Sequence, residues 1–257
     1  MVEALASDAH TQSRYEVRFE WGIPGAANIV SGVGAIVVID SISFTTTVEI
    51  AVSHGLEIIP FDGAGDIAEL AERHGAIVGG PRGGEGITLS PSSITPKSVA
   101  EASSTRVVLS SLNGSRVSAA VATQGVPVIA ASLRNRTAVA EWIRDHQIAA
   151  GSRLGVAIVA AGERRSDGTI RFAVEDLLVA GAVIEALADL GIDNSSPEAA
   201  AAAAAYSGLR NATKHLLTAS TSAQELIAAG QRRDVELATE LDISRTVPVL
   251  REFAYRA

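Results

Sequence analysis

The stretch Val37–Thr47, VVIDSISFTTT, decides how the rest of the chain is read. An apolar run ending at Ile39 delivers an aspartate, Asp40, and the next seven positions carry five hydroxyl side chains. A continuous apolar run of this length is the pattern of a strand buried on both faces, as in parallel sheets covered by helices. A carboxylate at its end, followed by serines and threonines that open a helix, puts polar chemistry where the strand stops.

Working outward, the same grammar repeats. Strands are predicted at 15–21, 34–40, 57–61, 76–79, 106–109, 126–130 and 155–160, with AIVVI and GVAIVA the most continuous of them. Helical stretches are predicted between and after them at 45–54, 64–73, 116–124, 135–146 and 174–190. This βαβα rhythm predicts an α/β fold: three α/β/α layers around a mostly parallel or mixed central sheet. The C-terminal third reads as helical. In SSPEAAAAAAAYSGL, Ser196 is the cap, Pro197 lies in the first turn, Glu198 complements the dipole and seven alanines follow. Further helices are predicted at 222–229 and 232–241. No Pro/Gly/Ser-rich linker divides the chain, so residues 1–257 are expected to form one domain, with 1–14 a loosely packed tail.

Composition bounds the function. Of 257 residues, 47% are hydrophobic and 19% charged, enough to bury a sizeable core; aromatics are only 4%, so aliphatic residues must fill it. A net charge of −8 without clustered Lys and Arg argues against a nucleic-acid partner. The absence of cysteine removes disulfides, thiolate nucleophiles and Cys-ligated zinc. No apolar run reaches membrane-spanning length and no leader pattern is visible, so a soluble cytoplasmic protein without a membrane partner is expected. The oligomeric state is left open, a homo-oligomer included.

Ligands of open α/β sheets bind outside the carboxyl ends of strands. The residues there are Asp40; the loop GGPRGGEG at 79–86; Ser110, Ser111, Asn113, Gly114 and Ser115; Arg134 and Asn135; and Gly162 and Glu163. Asp40 suits a magnesium ligand, a hard oxygen donor for a hard cation, and equally a cap for the following helix. Thr45, Thr46 and Thr47 suit phosphate oxygens at a helix N-terminus, or ordinary packing. The glycine-rich loop lets amides approach an anion and Arg82 offers a bidentate fork, but it matches no nucleotide fingerprint. Asn113-Gly114-Ser115 fits oxyanion donors or a turn and helix cap. Glu175 and Asp176 open the helix FAVEDLLVAGAVIEAL, where they complement its dipole and, lying near the strand ends, could hold a metal or move a proton. His54, His74 and His146 sit at helix ends without metal-ligand spacing. A dinucleotide site is disfavoured because GVGAIVVID has its glycines before the strand.

With these pieces assembled, the chain resembles the 2-phosphosulfolactate phosphatase family, magnesium-dependent phosphatases named for a step of coenzyme M biosynthesis. The resemblance is carried in order by VVIDSISFTTT, VGGPRGG, VVLSSLNGS, ASLRNRTAVA, AAGERRSDGTIRFAVEDLLVAGAVIEAL and RRDVELATELDISRTVPVL, over roughly residues 30–250. It implies a Mg²⁺-dependent phosphoric monoester hydrolase acting on a small phosphorylated acid. It further implies Asp40, Glu175 and Asp176 as metal-binding and catalytic carboxylates, and Thr45, Thr46, Arg82, Asn113, Gly114 and Ser115 around the phosphate. Gly181, Asp234, Asp242 and Pro248 match the family pattern as well. Two positions depart from it: Ser43 stands where the family carries an arginine, and Pro81 where it carries a glutamate, which Glu85 would partly replace. These departures keep alive a second expectation, a phosphate-ligand binding protein without turnover, or one with an altered substrate.

Overall fold

The computed structural model describes residues 10–165 and 167–257. In chain order they form β1 (Val17–Trp21), α1 (Gly22–Ile29), β2 (Val33–Ile39), α2 (Phe44–Ser53), β3 (Glu57–Phe61), α3 (Ile67–His74), β4 (Ile77–Val78), α4 (Pro96–Glu101) and β5 (Arg106–Ser110). Then follow α5 (Gly114–Val121), β6 (Val128–Ala130), α6 (Arg136–Ala150), β7 (Gly155–Ala160) and the ribbon β8 (Glu163–Arg164) and β9 (Ile170–Arg171). The C-terminal part comprises α7 (Val174–Asp189), α8 (Pro197–Leu209), α9 (Thr213–Ala219), α10 (Thr221–Ala228), α11 (Arg232–Ala238), β10 (Val249–Arg251) and β11 (Ala254–Arg256).

The central sheet has nine strands in the order β1-β7-β2-β6-β10-β11-β3-β5-β4. Strands β1, β7, β2 and β6 form one parallel block, and β3, β5 and β4 another. The terminal hairpin β10–β11 is spliced between them by antiparallel pairing on both sides. Three successive antiparallel junctions reverse the second block relative to the first. All seven predicted strands are present; β8, β9, β10 and β11 were not predicted, and neither were α1, α4 and α9.

All seven residues of β2 are buried, which is why its sequence shows no polar alternation. Ala35, Val37 and Ile39 point into the core under α6, α7 and α8, while Ile36 and Val38 point to the opposite core under α1, α2 and α5. Period-two alternation thus survives as a division between two apolar layers. The alanine tract has a packing reason. An added Cβ on Gly181 of α7 would lie 2.1 Å from the carbonyl oxygen of Ala202 in α8, so the two backbones touch directly. As predicted, Ser196 caps α8 by accepting from the Ala199 amide (3.1 Å).

Some boundaries differ from prediction. Helix α3 starts at Ile67, three residues later than expected, because Asp66 caps it through the Ala68 amide (2.8 Å). Of the tail expected at 1–14, residues 1–9 lie outside the described residues. Residues 10–14 are anchored: Gln12 is buried, donates through Nε2 to the Phe19 carbonyl and accepts the Phe19 amide through Oε1, both at 3.0 Å. No helix among the described residues is long and apolar enough to cross a membrane.

Candidate active site

Strand β2 ends at Asp40, only 7% exposed. Its Oδ2 accepts the Gly114 amide at 2.7 Å and the Ser111 hydroxyl at 3.0 Å. Both donors come from the turn joining β5 to α5, so the end of the second parallel block meets the end of the first. The blocks run in opposite senses, and these two hydrogen bonds tie an end of one to an end of the other. Gly114 is required by contact: a Cβ there would fall 2.6 Å from Asp40 Oδ2 and 2.6 Å from the Phe44 ring.

Asp176, in the first turn of α7, joins two further strand ends. Its Oδ1 accepts the Ser41 amide (2.9 Å), after β2, and its Oδ2 accepts the Gly162 amide (3.0 Å), after β7. Its neighbour Glu175 is 3% exposed, and its Oε2 has no hydrogen-bond partner; the Ser41 hydroxyl is likewise buried and unpartnered. Arg82, from the glycine-rich loop, donates through Nη2 to the Ser43 hydroxyl. Its Nη1 lies 3.6 Å from Asp234 Oδ2 of α11. Half-buried Glu163 completes the ring beside the Asn113 side chain, whose Oδ1 accepts the Arg164 amide at 3.1 Å.

The electrostatics follow from burial. Desolvation pushes the Asp40 carboxyl upward; the Gly114 amide, the Ser111 hydroxyl and Arg82 pull it back, and Glu175 adds a further upward push. Desolvation raises Asp176 well above the usual carboxylate range, with the charges of Asp40 and Glu175 adding to it against the Ser41 and Gly162 amides. Burial raises Glu163 as well, with Asp40 contributing. Arg82 is lowered by burial and supported by Asp234, Asp40 and Glu163. The result is a cluster of buried carboxyl groups, each biased by burial toward its protonated form, with the Arg82 guanidinium beside them.

Among the residues predicted from sequence, the structure brings together Asp40, Glu175, Asp176, Arg82 and Gly114, with Asn113 at the edge. Thr45, Thr46 and Ser115 are fully buried, and their hydroxyls are engaged with backbone. Thr45 Oγ1 accepts the Asp40 amide (3.3 Å) and donates to the Asp40 carbonyl (3.0 Å). Thr46 donates to the Ser41 carbonyl at 2.8 Å. Ser115 donates to the Phe61 and Ser111 carbonyls at 2.8 and 2.7 Å. Arg134 and Asn135 serve elsewhere, Arg134 on Glu49 and Glu240, Asn135 on the carbonyls of Ala130 and Thr246. Glu85 is exposed.

Ser41, Ser111, Glu163 and Asp234 complete the site without having been predicted as site residues. Ser111 and Glu163 stood at strand ends, a signal that assigned no role; Asp234 sits in a helix remote in sequence.

Among the described residues, no three His, Asp or Glu side chains are already arranged as a metal cluster. The donor chemistry still fits a hard cation. Asp40 and Glu175 are buried carboxylates with acceptor capacity left over, and magnesium uses one or two carboxylates plus waters and substrate oxygens. Asp176 fits less well, since each of its oxygens already accepts an amide.

Buried carboxylates and a guanidinium gathered where strand ends meet helix N-termini define an α/β enzyme. Residues 26–252 match the family profile described as 2-phosphosulpholactate phosphatase. A probable 2-phosphosulfolactate phosphatase of Thermotoga petrophila is 31% identical over 220 residues, covering 83% of this chain and 88% of the relative. The 2-phosphosulfolactate phosphatase of Methanothermobacter thermautotrophicus is 31% identical over 225 residues, covering 86% and 88%. A probable 2-phosphosulfolactate phosphatase of Parasynechococcus marenigrum is 32% identical over 228 residues, covering 84% and 88%. The chain belongs to the 2-phosphosulfolactate phosphatase family.

Proposed function

We propose that the chain is a cytoplasmic, magnesium-dependent phosphatase that hydrolyses a small phosphorylated acid such as 2-phosphosulfolactate, giving the free alcohol and inorganic phosphate. The observation that carries this reading is the pairing of a buried, unpartnered Glu175 Oε2 with Asp40 beside Arg82. A carboxylate oxygen without a partner in a buried wall costs about 1–3 kcal/mol or more, so it marks a place where a ligand or water belongs.

Each residue then has a task. Arg82 supplies the guanidinium that faces phosphoryl oxygens. Asp40 is held against Gly114 and Ser111 so that its other oxygen points away from them. Glu175 is placed to take a proton from an attacking water as the water oxygen bonds to phosphorus and the P–O ester bond breaks, the departing alkoxide taking its proton from solvent water. Asp176 holds the ends of β2 and β7 at fixed separation, a positioning role. Asp40 and Glu175 would hold Mg²⁺, which when bound neutralises phosphoryl charge and acidifies water. Positioning and electrostatics supply most of the rate in such transfers.

The test is phosphate release from a panel including 2-phosphosulfolactate and phospholactate, with magnesium and with EDTA. Magnesium-dependent release, abolished in Asp40→Asn and Glu175→Gln, supports the reading. A folded protein silent across the panel favours the second reading, a non-catalytic or altered-substrate binding protein. Ser43 and Pro81 motivate that alternative, since together they remove one guanidinium and one carboxylate relative to the family pattern.

A further inference from the structure

Arg82 stands among three carboxylates. Asp234, Asp40 and Glu163 all act on its charge, and Asp234 is the one within ion-pair distance. In such surroundings a flexible guanidinium would be expected to collapse onto Asp40 or Glu163, forming an internal ion pair where the proposed substrate's phosphate has to go. It does not. Its Nη2 donates to Ser43, and its Nη1, buried and without a hydrogen bond, is turned to Asp234.

Asp234 is itself fixed. It is fully buried, its Oδ1 accepts the Ser92 amide at 3.0 Å and its Oδ2 accepts the Ser90 hydroxyl. Both donors belong to the turn before α4, while Asp234 belongs to α11, so the carboxylate ties together two elements far apart in sequence. At 3.6 Å from Nη1 it attracts without making a direct hydrogen bond. An anion at that distance biases the direction of the guanidinium while leaving Nη1 without a hydrogen bond.

We propose that Asp234 is a positioning residue that holds Arg82 off Asp40 and ready for a phosphoryl oxygen. The role rests on the phosphatase reading above, because it needs an anion to be received. It gives α11 a function in the site, and it assigns to Arg82 an orientation that the loop alone, with five glycines in residues 79–86, would not maintain.

The test is a double-mutant cycle with Arg82→Ala, Asp234→Asn and the double variant, scored by kcat and KM for the best phosphorylated acid and by inorganic phosphate binding. Asp234→Asn is expected to raise KM and the phosphate Kd about tenfold, with kcat within about threefold of wild type. The double variant should be no worse than Arg82→Ala, because the two act as one unit. Added guanidinium ion should restore part of the Arg82→Ala activity when Asp234 is present and none when it is Asn. Ser92→Ala, which keeps the backbone amide on Asp234, serves as the folding control and should match wild type. Additive losses, unchanged KM in a folded Asp234→Asn, or rescue indifferent to residue 234 would each overturn the proposal. If the wild type turns over nothing on the panel, the phosphatase reading fails; the phosphate-binding arm of the cycle still decides the role of Asp234.

Discussion

Gly181 offers the sharpest test of why this chain carries a tract of alanines. Alanine at 181 would place its Cβ 2.1 Å from the Ala202 carbonyl oxygen, 2.8 Å from the Ala202 carbonyl carbon and 2.8 Å from Tyr206 Cβ. Two of these atoms are backbone, so no rotamer change relieves the contact and α8 must move away from α7. Overpacking of this kind costs roughly 1–3 kcal/mol, and a backbone clash puts it near the top. The better helix propensity of alanine returns about 1 kcal/mol. Gly181→Ala should therefore lose about 2 kcal/mol, or roughly 4–8 °C in Tm for a chain of this size. Gly208, also helical but with nothing within 4 Å of an added Cβ, is the control. Gly208→Ala should gain up to about 1 kcal/mol from propensity alone. Urea denaturation of both variants decides the matter. If Gly181→Ala matches or exceeds wild type, direct backbone contact is not what the small residues are for.

Three other outcomes are expected. Gly114→Ala should fold but lose about a hundredfold in kcat/KM, because its Cβ displaces Asp40 by an ångström or so; steady-state kinetics beside a circular dichroism spectrum checks this. Magnesium at a hundred times its Kd should stabilise the wild type by about 2.7 kcal/mol, and Glu175→Gln should abolish the shift; denaturation with magnesium and with EDTA reads it. Tyr255→Phe should cost about 1 kcal/mol in the same denaturation assay, because the buried Tyr255 hydroxyl donates to Ser118 Oγ at 2.8 Å.

The parallel strands were legible because burial on both faces leaves an uninterrupted apolar run, as in β2 and β7. The hairpin β10–β11 was not, since VLREFAYR mixes charges into three-residue strands whose pairing is decided by β6 and β3, not by local pattern. Helix α1 hides behind Gly22, Pro24 and Gly25, residues that read as a turn. In the site, Asp40, Glu175 and Asp176 were visible because strand ends and helix starts are local features. The roles of the threonines were not: a hydroxyl facing a phosphate and one bonded to its own loop look alike in sequence. Asp234 was picked out only as a match to the family pattern; its role was out of reach because it resides in a contact with Arg82 across 152 positions of chain (234 − 82).

The charge carried by Asp40 can be separated from its hydrogen bonds, and that separation sets the sign of a pH effect. Oδ2 takes both the Gly114 amide and the Ser111 hydroxyl, so an asparagine can keep both bonds with its carbonyl oxygen and put its amide where Oδ1 was. What Asp40→Asn removes is a desolvated charge. Burial raises the folded pKa of Asp40 above its unfolded value of about 3.9, so the native state binds the proton more tightly. Its contribution is then fully favourable below the unfolded pKa and is lost as pH rises through the folded one. In EDTA, Asp40→Asn should be more stable than wild type at pH 8, with the gap closing as pH falls toward 4, while phosphatase activity is lost at every pH. A variant less stable than wild type at pH 8 would mean that the charge is already compensated within the protein, by the Gly114 amide, the Ser111 hydroxyl and Arg82, and that the wall around Asp40 asks for no cation.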